Sequence, residues 1–383
     1  MPDVSNQRAY ELDILRGLAA LFVVIHHWRF LFFPVTFVAP HYDALPLHAL
    51  FLPIYTFGEL FVDVFFSISG YVFFWLYADA IADRQIDSKR FFHLRFARIY
   101  PLFFVTLIAV AVLQGAYKAL NGQYLIYVDN SLLDFVRNLF LIQGWTTHGA
   151  QSFNGPAWSI SVEILLYILF FIFCRLRLNR LVWLLAAVIA GVWAKEYYGF
   201  VATGLPSFFL GGLSVYIVQR IAPQTSQIKW PLLIVTVALW LATYIRANAG
   251  LFVFLPVDTL LPSGFFKMNT FWAMLTPLTL ITLAIWFRGK QAMLKPFAWL
   301  GDISYSVYLL HFPLILLISL WLSQQTPALR EAIAHSPWAM AGFIVLLLGI
   351  SKLSHDYFEV PMRNGIRQFS LAMIVQRRVI KTE

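Results

Sequence analysis

The sequence predicts an all-α, polytopic membrane protein of about ten transmembrane helices with both termini cytoplasmic. Three observations predict it. Of the 383 residues, 60% are hydrophobic and only 12% charged, where soluble domains hold about 45–50% and about 25%. Apolar stretches of about 17–25 residues, the length that spans hydrocarbon, recur along the chain. Lys and Arg collect in alternate connections between those stretches. One globular core of this size cannot hide so much apolar surface, so the solvent is largely lipid.

Taken in order, the spans fall at 12–33, 57–78, 99–117, 157–174, 181–197, 204–219, 230–246, 270–287, 298–322 and 337–353. The first is read as a retained span and not a cleaved leader, because Asp13 and Arg16 interrupt its start and no small-x-small site follows. The apolar run from Leu251 to Leu261 is broken by Pro256 and Pro262 and reads as a loop at the outer interface. With the N-terminus inside, 21 of the 28 Lys and Arg residues lie on the inner side and seven on the outer, as the positive-inside rule requires. That bias accounts for the net charge of +9 without a nucleic-acid partner. Segments 34–56 and 118–156 face outward, long enough to cap a cavity but too short for a separate catalytic domain. Residues 1–363 form the transmembrane domain, and 364–383 a basic cytoplasmic tail. The single cysteine, Cys174, rules out an intrachain disulfide and a multi-thiolate centre, so no metal and no tightly bound cofactor are expected.

Ionisable residues inside spans are costly and mark function by default. In the first span Arg16 and His27 are eleven residues apart, which on a helix is three turns plus about 20° and a rise of about 16.5 Å. They share a face at different depths, Arg16 near the cytoplasm and His27 in the outer half; His26 points about 100° away from His27. A neutral imidazole suits a general base near pH 7; the plainer reading is a histidine bonded to a neighbouring helix. Asp63, in the outer part of the second span, needs a partner such as a cation of the first span, or serves to orient one. The inner loop Lys89 to Pro101 carries Arg95 and Arg98 on one helical face. These two can fork onto phosphate oxygens or belong to a basic amphipathic helix on lipid headgroups. Glu163 lies about two turns into its helix at a depth comparable to His27, with Ser159 one turn before it. It either holds a protonated His27, acts as an acid or makes a structural ion pair. Ser304, Tyr308 and His311 form an i, i+4, i+7 stripe that must face the bundle interior.

Together these residues resemble the membrane-bound acyltransferase family 3, a family that includes bacterial O-acetyltransferases. Arg16-x10-His27 is similar to its Arg-x10-His signature, and Arg95-x-x-Arg98 to its basic motif. Trp158-Ser159 with Glu163, the run Gly-x-x-Ser-Tyr-Ser-x-Tyr-x-x-His from Gly301 through Tyr305 and Tyr308 to His311, and Glu359-Val360-Pro361 resemble further family positions. The resemblance covers about residues 10–363. The doubled His26-His27 and His93 in the basic segment depart from the pattern; spacing selects His27.

The resemblance implies an O-acyltransferase of the bacterial inner membrane, acting on acyl-CoA, most simply acetyl-CoA, as donor. The acceptor would be a hydroxyl of an extracytoplasmic or lipid-linked carbohydrate. His27 and Glu163 would be catalytic, Arg16, Arg95 and Arg98 would hold the donor, and Asp63, Ser159, Tyr305, Tyr308 and His311 would support or contact substrate. His27 would be oriented or charge-balanced by Glu163 or Asp63. The rival reading is a proton-coupled transporter or flippase relaying protons through His27, Glu163 and His311. Against it, the sequence has no paired broken helices and no internal symmetry.

Overall fold

The computed structural model describes residues 8–36, 41–146, 150–248 and 268–368. Among these residues there is no strand, and ten helices have 16 or more residues. They are α1 (Tyr10–His27), α2 (Phe61–Leu76), α3 (Ser88–Asn121), α4 (Trp158–Arg175), α5 (Leu181–Tyr198), α6 (Gly204–Ile221), α7 (Thr225–Asn248), α8 (Met268–Trp286), α9 (Trp299–Leu322) and α10 (Pro337–Ser354). Each predicted span falls on one of them. Seven helical stretches among the described residues are long and apolar enough to cross a bilayer. One of the seven, Gly204–Ile245, holds both α6 and most of α7, while Leu181–Lys195 in α5 and Met274–Trp286 in α8 are shorter apolar helices. The chain is therefore an all-α, multi-pass membrane protein. The expected loop at Leu251 to Leu261 lies outside the described residues, as does the tail from 369 onward. Helix continues through residue 368, past the boundary expected at 363.

Lipid tails are as apolar as leucine, so helices in a bilayer associate through close packing and interhelical hydrogen bonds. The α2–α6 pair shows both. A Cβ at Gly70 would stand 1.9 Å from the carbonyl oxygen of Phe208, and one at Gly211 2.0 Å from that of Ser67. The two backbones touch because these positions carry no side chain, and Ser67 Oγ donates to the Ser207 carbonyl at 3.0 Å across the seam. The α1–α9 seam is built alike: Gly17 lies against Leu300 and Gly301 against Asp13. Arg16 then ties the pair, donating from Nη2 to the Gly301 carbonyl at 2.7 Å and from Nε to Ser304 Oγ at 3.0 Å.

One element differs from expectation. Lys89 to Pro101 is not a loop but the first part of the 34-residue α3, begun by Asp87, whose side chain accepts from the Arg90 N–H at 2.8 Å. No helix breaker separates Ser88 from the following span except Pro101, which the helix accommodates. At about 1.5 Å per residue α3 is about 51 Å long, well beyond a hydrocarbon core of about 30 Å, so its basic end extends out of the apolar layer.

α1 tightens into a 3-10 helix, Trp28–Phe32, directly after His27. The described residues that follow α3, up to 156, fold over the same end. They include the short helix Leu132–Leu139, closed by a Ser131/Asp134 capping box. Gly155 lets the Tyr127 ring approach within 2.2 Å of where a Cβ would be, and Tyr127 in turn packs on Phe312 and Phe30.

Candidate active site

Three cavities follow one another through the interior. The first, about 470 Å³, is lined by His26, His27, Arg29, Asp63, Lys195 and Tyr308 among others. The second, a waist of about 100 Å³, is lined by Arg16, Ser69, Arg95, Arg98, Glu163 and Tyr308 among others. The third, about 260 Å³, is lined by Arg8, Asp13, Arg16, Arg98, Glu359 and Arg363 among others. Val62 and Tyr308 border both the first and the second; Arg16, Arg98 and Tyr305 border both the second and the third. The predicted shared face of Arg16 and His27 is thus the wall of this line of cavities, with arginines at one end and histidines at the other.

His27, the last residue of α1, is clamped between two rings. Its ring lies parallel to that of His311, edge to edge, with 5.0 Å between centroids and 2° between planes, and it stacks on Phe30 at 4.7 Å. His27 Nδ1 lies 2.9 Å from His311 Nε2, and His311 Nδ1 lies 2.6 Å from the Tyr308 carbonyl oxygen. A carbonyl only accepts, so His311 Nδ1 carries the hydrogen. In the neutral pair His311 Nε2 is then the acceptor and His27 Nδ1 the donor. That chain of bonds leaves the Nε2 lone pair of His27 bare, on a residue that lines the first cavity. The same logic applies to His26: its Nδ1 donates to the Tyr55 carbonyl at 2.9 Å, and its buried Nε2 has no partner.

The carboxylates are elsewhere than expected. Glu163 accepts from Tyr167 Oη at 2.5 Å and from Ser69 Oγ at 3.0 Å, and lines the waist. Asp63 lines the histidine cavity, but its carboxylate accepts from Ser207 Oγ at 2.6 Å. Neither bonds to His27, so the expected orienting carboxylate is replaced by His311. Depth along a helix could be counted from the sequence; the direction in which α4 and α2 point these groups could not.

The arginines divide into different tasks. Arg16 is engaged on three sides, by Gly301, Ser304 and an ion pair with Asp13 at 3.1 Å. It is first a clamp between helices and only then a cavity wall. Arg95 is buried, 8% exposed, inside aromatic rings: its guanidinium carbon lies 4.5 Å from the centroid of Phe73 and 4.8 Å from that of Tyr77. A desolvated contact of this kind is worth about 2 kcal/mol or more, and it makes Arg95 a part of the packing. Arg98, exposed, has no hydrogen bond or ion pair among the described residues and borders both the waist and the arginine cavity. It is a cation available to a ligand. The surface-helix alternative does not describe Arg95, which points inward, while Arg98 is exposed.

The stripe on α9 faces the interior as predicted, with Ser304 2%, Tyr308 6% and His311 0% exposed. Tyr308 Oη donates to the Pro156 carbonyl at 2.6 Å, and Ser159 Oγ lies 2.7 Å from Tyr308 Oη, joining α9 to the start of α4. Tyr305 Oη donates to the Ile99 carbonyl at 2.6 Å, joining α9 to α3. Sequence reasoning missed Phe30, Tyr167, Ser207 and Arg29. Tyr167, one turn after Glu163, was open to the same spacing argument; Ser207 comes from a distant helix and left no local signal. Burial pushes the Tyr127 phenol above its ordinary range, so this loop residue closes the cavity as a neutral wall.

Comparison with known proteins agrees with this architecture. The profile of the Acyltransferase domain family matches residues 9–353. The chain is 35% identical over 151 residues to acyltransferase MdmB of Streptomyces mycarofaciens, covering 37% of this chain and 36% of the relative. It is 27% identical over 405 residues to BcsY of Komagataeibacter xylinus, described as a membrane-bound transacylase, covering 97% and 86%. It is 23% identical over 402 residues to the peptidoglycan O-acetyltransferase OatA of Listeria monocytogenes, covering 94% and 57%. The chain thus spans little more than half of that relative and about a third of MdmB. No solved structure matches the chain. A family match over nearly the whole length, on a helical bundle whose polar groups line one interior passage, means that this chain belongs to membrane-bound acyltransferase family 3.

Proposed function

We propose that the protein moves an acyl group, acetyl in the first instance, from cytosolic acyl-CoA to a hydroxyl of an extracytoplasmic or lipid-linked carbohydrate. The bilayer is the bacterial inner membrane, crossed about ten times with both termini in the cytosol. The observation that carries this reading is the line of cavities with an unpaired cation, Arg98, at one end and the bare Nε2 of His27 at the other. A phosphorylated donor suits the arginine end. The waist, about 100 Å³, is the smallest of the three cavities, and the slender pantetheine arm is the part of the donor that would pass it, carrying the acyl thioester toward His27.

In the reaction, His27 Nε2 removes the proton of the acceptor hydroxyl. The oxygen attacks the thioester carbonyl, a C–O bond forms, the C–S bond breaks, and the proton passes from the imidazolium to the departing thiolate. While His27 is charged, its Nδ1–H remains donated to His311 Nε2, and His311 is held by the Tyr308 carbonyl. A general base of this kind contributes about 10²–10⁴ in rate. Glu163 orders Tyr167 and Ser69 in the donor's path, so its role is positional. That one relative is named a peptidoglycan O-acetyltransferase supports a glycan acceptor.

The test is a His27→Ala strain, with surface glycans read by mass spectrometry. Loss of acylated glycan, with the protein inserted and the glycan still exported, supports the enzyme reading. Loss of export itself favours a transporter, and unchanged acylation removes His27 from the chemistry.

A further inference from the structure

The histidine cavity holds more than a base needs. Arg29 lines it, two residues after His27, half-buried where the 3-10 helix turns it inward. Lys195, from the end of α5, lines the same cavity and is also half-buried. Among the described residues neither has a hydrogen bond or an ion pair, and Arg29 has only a cation–π contact with Phe30 at 5.7 Å. Of the two carboxylates on the wall, Asp63 is committed to Ser207 and Glu59 is exposed. A third feature is independent of the cations. His26 is 1% exposed and lines the cavity, and its Nε2 is a buried acceptor with nothing donating to it. Such an atom pays a desolvation cost until a ligand group supplies the missing hydrogen bond. Gly58 fixes it there, because a Cβ at that position would lie 2.2 Å from His26 Cβ.

We propose that the acceptor carries an anionic group, a carboxylate or a phosphate, close to the hydroxyl that reacts: Arg29 and Lys195 hold the anion, and His26 Nε2 accepts from a neighbouring hydroxyl. This rests on the histidine cavity being the acceptor's, and it narrows the acceptor from carbohydrates in general to acidic or phosphorylated ones. The spacing supports it. His26, His27 and Arg29 stand within four consecutive residues, so base, hydroxyl acceptor and cation meet one sugar-sized ligand. A planar guanidinium is the side chain suited to bidentate contact with either anion.

Binding tests this separately from turnover. Full-length protein bearing His27→Ala is purified in detergent, and Trp fluorescence, to which Trp158 on the cavity wall contributes, follows titration with methyl glucoside, methyl glucuronide and glucose 6-phosphate. The expected result is that one or both anionic sugars bind about tenfold tighter than the neutral one, a preference that added Arg29→Gln abolishes and Arg29→Lys partly restores. The carboxylate and phosphate arms tell the two sources of charge apart. Equal affinity for all three sugars, or a preference that survives Arg29→Gln, overturns the proposal. Failure of the acyl-transfer reading would instead appear as a protein with His27 intact that binds these sugars and moves no acyl group to any of them.

Discussion

Replacing His311 by Phe tests the histidine pair most directly. Phenylalanine keeps a ring beside His27, whose centroid lies 5.0 Å from that of His311, but cannot accept the 2.9 Å bond from His27 Nδ1. In the ground state that bond is between neutral groups and is worth about 0.5–1.5 kcal/mol net. In the transition state His27 is becoming an imidazolium, and a hydrogen bond from a charged donor is worth about 1.5–3 kcal/mol. The loss therefore falls mainly on the transition state. kcat reads the difference between the two, about 1–1.5 kcal/mol, so at about 1.4 kcal/mol per factor of ten it should drop roughly 5- to 12-fold, while KM for acyl-CoA, set at the far end of the cavities, stays near its original value. The assay is transfer of radiolabelled acetyl from acetyl-CoA to glycan in inverted membrane vesicles, with protein level normalised by immunoblot. His311→Gln, whose carbonyl can accept, should recover part of the loss. A His311→Phe enzyme with kcat within threefold of the parent would refute the assignment of His311 as the group that orients the base. A rise in KM with kcat unchanged would refute it too.

Further outcomes follow from the same geometry. Arg98→Ala should raise KM for acyl-CoA about tenfold, and more steeply at low salt, because an unpaired cation near solvent is screened; a KM that does not move removes Arg98 from donor binding. Arg95→Ala should instead lower the melting temperature in detergent, since it empties an aromatic cage worth about 2 kcal/mol or more; a stable variant with weakened donor affinity would show that Arg95 leaves its cage to bind. Glu163→Gln keeps an acceptor for Tyr167 and Ser69 and should cost less than tenfold in kcat, far short of His27→Ala, within the range of losing part of one charge-assisted bond. A loss equal to that of His27→Ala would place Glu163 in the proton transfer. Gly70→Ala puts a methyl 1.9 Å from the Phe208 carbonyl oxygen and should cost about 1–3 kcal/mol by overpacking, read as a lower melting temperature. Wild-type melting would mean that α2 and α6 do not pack at this point.

What could be read in the sequence was whatever depends on distance along one helix. The span positions are of this kind, since burial in lipid is a property of a window of side chains. So is the shared face of Arg16 and His27, and so is the inward stripe Ser304, Tyr308, His311 on α9. Basic character at Lys89 to Pro101 is equally legible, but the same charge suits a loop or a helix end, and α3 runs straight through it. An Arg that buries its guanidinium against Phe91, one turn earlier on α3, and against Phe73 and Tyr77 looks from sequence like any other surface cation, because no local spacing connects it to Phe73 and Tyr77.

The amino-acid order by itself determined a lipid-embedded helical bundle, the helix on which each polar group sits and its depth, because hydropathy and helical rise are local quantities. Only the tertiary structure decided which polar groups meet. Glu163 and Asp63 have depths that allowed them to serve His27, yet Ser69, Tyr167 and Ser207 satisfy them first, and His311 takes the place beside the base. The physical reason is that rotation about a helix axis is fixed by packing. Gly70 against Phe208 and Gly301 against Asp13 set the seams of α2 with α6 and of α1 with α9, and those seams aim every side chain that reaches the interior.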